Sequence, residues 1–268
     1  ELIEQSQEEV LHKLDYLNRS LSNHFPSSPF EIVSKNQHPI PDAISDFPHS
    51  IRLIFEYPLN PGMLYQSLWR ETAQAGALIW GGLTFLDYES RSSFIDLYFQ
   101  DAENRPGKIR TKDLLICSNG FTKQFLKAQT NIEPGRGMIL LSKPFEKRPF
   151  EGMYHLERGN VYFREVDNRL LFGGGRHWFV DEENTDEFGL NARLEKELIA
   201  LSQRVFPGLA IEWEDKWSGI MGFSNQFKPI VKWIDENTLL GAGMNGMGLA
   251  LGFSFGKELA ITLDRKKC

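Results

Sequence analysis

The sequence predicts a mixed α+β fold, and three observations predict it. Strand-like segments are numerous and short, and several are joined by tight turns. Helical segments come singly between them, without the regular alternation of a doubly wound parallel sheet. Apolar residues make up 41% of the 268 and charged residues 25%, enough for a real core and too apolar for a disordered chain.

Taken in order, residues 3–21 place Ile3, Val10, Leu11, Leu14, Leu17 and Leu21 at helical spacing, with acidic residues in the first turns. Pro26, Pro29, Pro39, Pro41 and Pro48 then mark loops and short strands. Arg52 to Tyr57 is rich in β-branched and aromatic residues and stops at Pro58, so it reads as a strand. Asn60-Pro61 supplies an N-cap and a first-turn proline. The helix they open carries Leu64, Leu68, Trp69 and Ala73 on one face and closes at Gly76. Strands follow at 77–86 and 94–99, then a turn at 104–107. A short apolar strand at 114–117 runs into Ser118-Asn119-Gly120-Phe121. Residues 136–142, 152–157, 160–166 and 169–173 read as consecutive strands with turns at 158–160 and 167–168. Leu190, Leu194, Leu198, Leu201 and Val205 mark a helix closed by Pro207-Gly208. Segments 211–223, 228–235 and 238–240 are strand-like, and a glycine-rich turn leads to a last helix over about 246–263.

Charge and cysteine usage narrow the function classes. A net charge of −6 argues against nucleic acid as a partner, because phosphate recognition needs a surplus of Lys and Arg. Cys117 and Cys268 cannot build a disulfide framework, so a reducing, cytoplasmic setting is expected. The start, Glu1-Leu2-Ile3-Glu4, has no initiator Met and none of the features of a signal peptide. Residues 237–256 form an uncharged stretch of bilayer-spanning length, but it holds Gly241, Gly243, Gly246, Gly248, Gly252 and Gly256 and a turn. No membrane partner is expected. His24, His38, His49 and His155 show no ligand spacing, so no metal is expected either.

The same stretch satisfies three literal motifs. Gly241, Gly243 and Gly246 spell G-x-G-x-x-G after a strand and before a helix, with Asp264 beyond, yet too few residues follow for a second parallel strand. The physics of a glycine-rich helix start remains: free N–H groups favour an anionic or electron-rich ligand. Gly252-Phe253-Ser254-Phe255-Gly256 spells the nucleophile elbow, but no histidine follows Ser254, and His177 is the last in the chain. Gly248, Gly252 and Gly256 repeat every fourth residue, which predicts a helix face built for close packing against a backbone or a flat cofactor.

Four segments together resemble the D-amino-acid-oxidase-like family of FAD-dependent oxidoreductases, the glycine and sarcosine oxidase type. Leu114 to Phe121 is similar to its last flavin-domain strand and turn. Pro134-Gly135-Arg136-Gly137-Met138 is similar to the strand entry that follows. Tyr162-Phe163-Arg164 through Leu170-Leu171-Phe172-Gly173-Gly174-Gly175 resembles its Y-x-R … L-x-G-G hairpin. Trp217-Ser218-Gly219, Pro229-Ile230 and Gly241 to Gly248 resemble the closing block. The match runs over residues 60–265. The family's opening strand and G-x-G-x-x-G turn have no counterpart before residue 60, which implies a member lacking its N-terminal dinucleotide-binding unit.

The resemblance implies an incomplete Rossmann-like FAD-binding domain (61–127 and 236–268) interleaved with a substrate domain on a large mixed β-sheet (25–60 and 128–235), after an N-terminal helix at 1–24. It implies FAD as cofactor and dehydrogenation of a C–N bond of a small polar molecule. Gly120, Gly173, Gly174, Gly175, Gly243, Asn245, Gly246, Met247 and Gly248 become the cofactor-binding candidates, with the Gly246, Met247 and Gly248 amides facing the flavin's pyrimidine edge. Arg164, Arg176 and His177 are catalytic or substrate-binding candidates. So is Met221, which stands where amino-acid-oxidising relatives carry a carboxylate-clamping arginine. That replacement also supports an alternative, a cofactor-free remnant serving as a binding or structural protein.

Overall fold

The computed structural model describes residues 7–34, 49–126 and 130–265. Ile3 of the first predicted helix, His38, Pro39, Pro41, Pro48 and Cys268 lie outside the described residues.

Helix α1 (Gln7–Leu21) precedes β1 (Phe30–Ser34) and β2 (His49–Leu53), which pair antiparallel. Helix α2 (Pro61–Gln74) starts where the sequence predicts, because Asn60 Oδ1 accepts from the Gly62 and Met63 amides at 3.0 and 3.1 Å. Strands β3 (Thr84–Ser90), β4 (Ile95–Gln100) and β5 (Pro106–Thr111) form an antiparallel meander. β6 (Leu114–Ile116) leads into α3 (Thr122–Leu126). Next come β7 (Ile132–Ser142), β8 (Met153–Leu156), β9 (Val161–Val166), β10 (Arg169–Gly174) and the short α4 (Val180–Glu183). The remaining elements are α5 (Ala192–Val205), β11 (Trp213–Ser224), β12 (Ile230–Trp233), β13 (Thr238–Ala242) and α6 (Gly248–Arg265). No described helix is long and apolar enough to cross a membrane.

Three predicted elements move. The strand expected at 77–86 lies at 84–90, because Gly82 has a φ of +72° that an extended strand does not allow. The strand expected at 52–57 ends at Leu53. The turn expected at 104–107 gives up Pro106 and Gly107 to β5, because it tightens around Asp101, whose carboxylate accepts from the Glu103 and Arg105 amides.

The chain divides into two units: Glu1–Leu59, Gly137–Val180 and Gly189–Ser218, and Asn60–Arg136, Asp181–Phe188 and Gly219–Cys268. In the first, a five-stranded sheet has the order β11-β7-β10-β9-β8. Alternate residues along each strand point to one face, and Met138, Leu140, Val161, Phe163, Leu170 and Phe172 are buried there. Helix α5 covers that face with Leu194, Leu198, Leu201 and Val205, the periodicity read from the sequence. Each such side chain contributes about 1.5–3 kcal/mol by leaving water.

In the second unit β13 pairs parallel with β6 and antiparallel with β12. Ile116, Leu126, Ile132, Leu240 and Ala242 form its core. Segment 181–188 belongs here because Arg136 reaches it: the guanidinium donates to Glu183 Oε2 at 2.9 Å and to the Glu187 carbonyl at 3.2 Å, and Glu183 is only 1% exposed. The sequence-based boundaries place residues 128–136 and 219–235 with the substrate domain, whereas the structure groups them with the β6–β13 sheet.

Two predicted apolar faces are uncovered among the described residues. Helix α2 buries none of its residues, and Leu68 and Trp69 are exposed. On α6 the residues that are not exposed are Phe255, Leu259, Thr262 and Leu263, and Leu259 fills the space left by the absent Cβ of Gly241. The close packing predicted for the glycine face does not occur among the described residues: a Cβ added at Gly252 or Gly256 would meet nothing within 4 Å.

Candidate functional site: a glycine bend and a polar sheet face

In the second unit three segments distant in sequence converge at the start of α6. Asn119 follows β6, Gly222 to Ser224 end β11, and Gly243 to Asn245 leave β13. Asn119 Oδ1 accepts from the amides of Gly243 and Met244 at 3.0 and 3.3 Å. The Asn245 amide donates to the Gly222 carbonyl at 2.9 Å. Asn245 Oδ1 accepts from the Ser224 amide at 2.8 Å, and its Nδ2 donates to the Gly243 carbonyl at 2.6 Å. Ser224 Oγ completes the knot by donating to the Lys228 carbonyl at 2.6 Å. Gly120 is buried, and a Cβ there would lie 2.7 Å from the Met221 carbonyl oxygen.

These bonds sort the bend's amides. Gly243, Met244 and Asn245 are spent internally, and Met247 donates to the Met244 carbonyl at 2.8 Å. The Gly246, Gly248 and Leu249 amides have no acceptor among the described residues, and all three residues are exposed. The Met247 amide therefore does not join Gly246 and Gly248 as the sequence reading expects, because the turn closing the bend consumes it; Leu249 takes its place. The Met221 sulphur lies 3.8 Å from the Cβ position of Gly246. Free amides at the first turn of an 18-residue helix make a local positive pole.

The first unit holds the other candidates. Register pairs Arg164 with Leu171 and Met153, and Tyr162 with Gly173 and His155, so these residues share the sheet face opposite the core. Burial pushes the Tyr162 phenol up, which keeps it protonated and a donor at neutral pH. Arg164 Nη1 donates to the Leu59 carbonyl at 2.7 Å. His177 Nε2 lies 2.8 Å from Glu157 Oε2, and Trp178 Nε1 donates to the same oxygen at 3.0 Å. Arg176 is half-buried on the same turn.

The triplet Gly173, Gly174 and Gly175 has an internal explanation. A Cβ at Gly173 would meet the Met138 carbonyl at 2.8 Å, at Gly174 the Asn160 carbonyl at 2.1 Å, and at Gly175 the Trp178 ring at 2.6 Å. At all three positions the side of the backbone where a Cβ would stand is filled by the protein's own atoms. The structure thus gathers Gly120, Met221, Gly243, Asn245, Gly246 and Gly248 in one unit, and Arg164, Arg176, His177 and the glycine triplet in the other. Asn119, Gly222, Ser224 and Tyr162 escaped the sequence reading as site residues. The signals were present: an Asn-Gly pair after a strand, and a tyrosine two residues before Arg164 on one strand face.

Glycine oxidase from Bacillus cereus ATCC 14579 superposes with a TM-score of 0.77 at 15% identity, covering 98% of this chain and 71% of that one. Glycine oxidase from Geobacillus kaustophilus gives 0.77 at 16% over 97% and 69%. L-proline dehydrogenase from P. horikoshii gives 0.76 at 16% over 95% and 69%. At such identities the likeness shows the fold, and the fold is the one the sequence resemblance implies. No protein of curated function matches the sequence significantly. The family described as FAD dependent oxidoreductase (DAO) matches residues 13–261, nearly the whole chain. On that match, and on a fold that the three solved structures share, the chain belongs to the DAO family of FAD-dependent oxidoreductases.

Proposed function

We propose that this chain carries the catalytic fold of an FAD-dependent oxidoreductase that dehydrogenates a C–N bond of a small, polar, amine- or amino-acid-like molecule. The observation that carries the reading is the bend at 243–249, where three amides without acceptors stand at the positive end of α6 in a chain of this family. FAD accepts hydride when bound, which is the chemistry the protein need not supply itself.

The residues present fit the ring half of that cofactor. Gly246, Gly248 and Leu249 would hold the ring by donating to electron-rich atoms at its edge, and the helix end would stabilise negative charge there. Met221 offers a soft, polarisable contact beside Gly246. On the polar sheet face, Tyr162 donates through its protonated phenol and Arg164 supplies positive charge. Glu157 orients the His177 ring through Nε2, and the ring's Nδ1 is buried. Relatives in fold include an iminodiacetate oxidase from Chelativorans sp. BNC1 at 16% identity, whose named substrate is a small secondary amine.

The test is direct. Purified protein mixed with FAD is expected to develop bound-flavin absorbance near ~450 nm that bleaches anaerobically with a substrate from a panel of small amines and amino acids. A folded protein that stays colourless and leaves FAD fluorescence unchanged points instead to the cofactor-free remnant, for which the arginine-to-methionine exchange at Met221 speaks.

A further inference from the structure

We infer that Asn119 is the positioning residue of the glycine bend. Its side-chain oxygen holds the backbone at Gly243 and Met244, so that the amides of Gly246, Gly248 and Leu249 point outward to a ring edge. This inference rests on the reading under Proposed function.

Several local peculiarities have a common explanation in this role. Asn119 has a φ of +47°, a conformation asparagine tolerates better than most residues. That backbone turn sends Oδ1 toward the bend, where it takes two amide hydrogens at once. Gly222 must lack a Cβ because the atom would lie 2.5 Å from that same oxygen. Asn119 thereby joins β6 to a segment 124 residues later in the chain. Without it, Gly243 and Met244 would join the free donors, and the set of amides that faces a ligand would no longer be limited to 246, 248 and 249.

The acceptor is an amide oxygen, which carries no net charge. A carboxylate could accept the same two bonds but would place a negative charge beside the positive end of α6, opposing the charge a reduced ring gains. Asn119→Gly and Asn119→Asp therefore separate the role from simple folding. Glycine accepts the positive φ and removes only the side chain. Aspartate keeps the bonds and adds the charge.

Binding is measured by flavin fluorescence with FAD and with lumiflavin as a ring-only probe. Asn119→Gly is expected to weaken both by about tenfold or more, the loss of two hydrogen bonds that fix the site. Asn119→Asp is expected to bind within about threefold of the parent and to lower the midpoint potential of the bound flavin. Unchanged binding and potential in Asn119→Gly overturn the inference. If the parent itself binds no flavin, the proposed function fails and amide exchange judges the positioning role alone. Gly243 and Met244 should then lose protection in Asn119→Gly and keep it in Asn119→Asp; equal protection in all three proteins overturns it.

Discussion

The side-chain oxygen of Asn119 accepts from the Gly243 amide at 3.0 Å, across a gap in sequence that spans most of the second half of the chain. The bond exists only because Gly222 leaves room beside it. Gly222→Ala would put a methyl group 2.5 Å from that oxygen. The expected result is loss of both amide bonds, about 1–3 kcal/mol of stability by urea unfolding, and weaker flavin binding in step with Asn119→Gly.

Gly174 tests the internal explanation of the glycine triplet. Its φ is +103°, and a Cβ would sit 2.1 Å from the Asn160 carbonyl oxygen. Gly174→Ala should therefore cost about 2 kcal/mol or more and lower the thermal midpoint. A neutral result would mean that the triplet is not held by the turn between β8 and β9.

Gly252 predicts the opposite sign. It lies inside α6 with open space around its Cβ position. Gly252→Ala should stabilise this chain by about 0.5–1 kcal/mol, since alanine is the better helix former and meets no obstacle. Destabilisation on chemical denaturation would show that a backbone does pack on that face.

Asp96 gives a pH dependence. Only 2% exposed, it receives Arg110 Nε at 2.7 Å and Arg110 Nη2 at 2.9 Å, with Lys108 at 2.7 Å. These hydrogen bonds to Arg110 and Lys108 hold its carboxyl far below the ordinary value of 3.8. Folded Asp96 is the stronger acid, so its contribution is complete above the unfolded value and is lost as pH falls through the folded one. The stability gap between the parent and Asp96→Asn should be constant above about pH 5 and close as pH drops below about 4. A gap independent of pH from 3 to 7 would contradict this.

A substitution at Met221 tests the proposed substrate class. A thioether cannot make the two parallel hydrogen bonds that an arginine offers a carboxylate. In Met221→Arg, KM for an amino acid should fall by about tenfold relative to its decarboxylated amine, with kcat changing less. Equal KM shifts for both compounds would remove Met221 from any role in recognition.

Much of the fold was legible because it is local. Asn60 announced α2, since a cap needs only amides two and three residues away. Leu194, Leu198, Leu201 and Val205 announced the buried face of α5 through helical spacing alone. The glycine bend was legible too, because a chain forced into positive φ at Gly243 and Gly246 must carry glycines there.

Other features could not be read from spacing. That Met247 spends its amide on Met244 while Leu249 does not depends on how the bend closes. The faces of α2 and the glycine stripe of α6 have the pattern of packed surfaces, yet the described residues leave them bare; periodicity states which side is apolar, not what meets it. The sequence by itself determined the family and the glycine bend. Only the tertiary structure decided that Asn119 and Gly222 hold that bend and that the Gly173–Gly175 triplet serves the protein's own packing, because hydrogen-bond partners and steric neighbours are chosen by proximity in space.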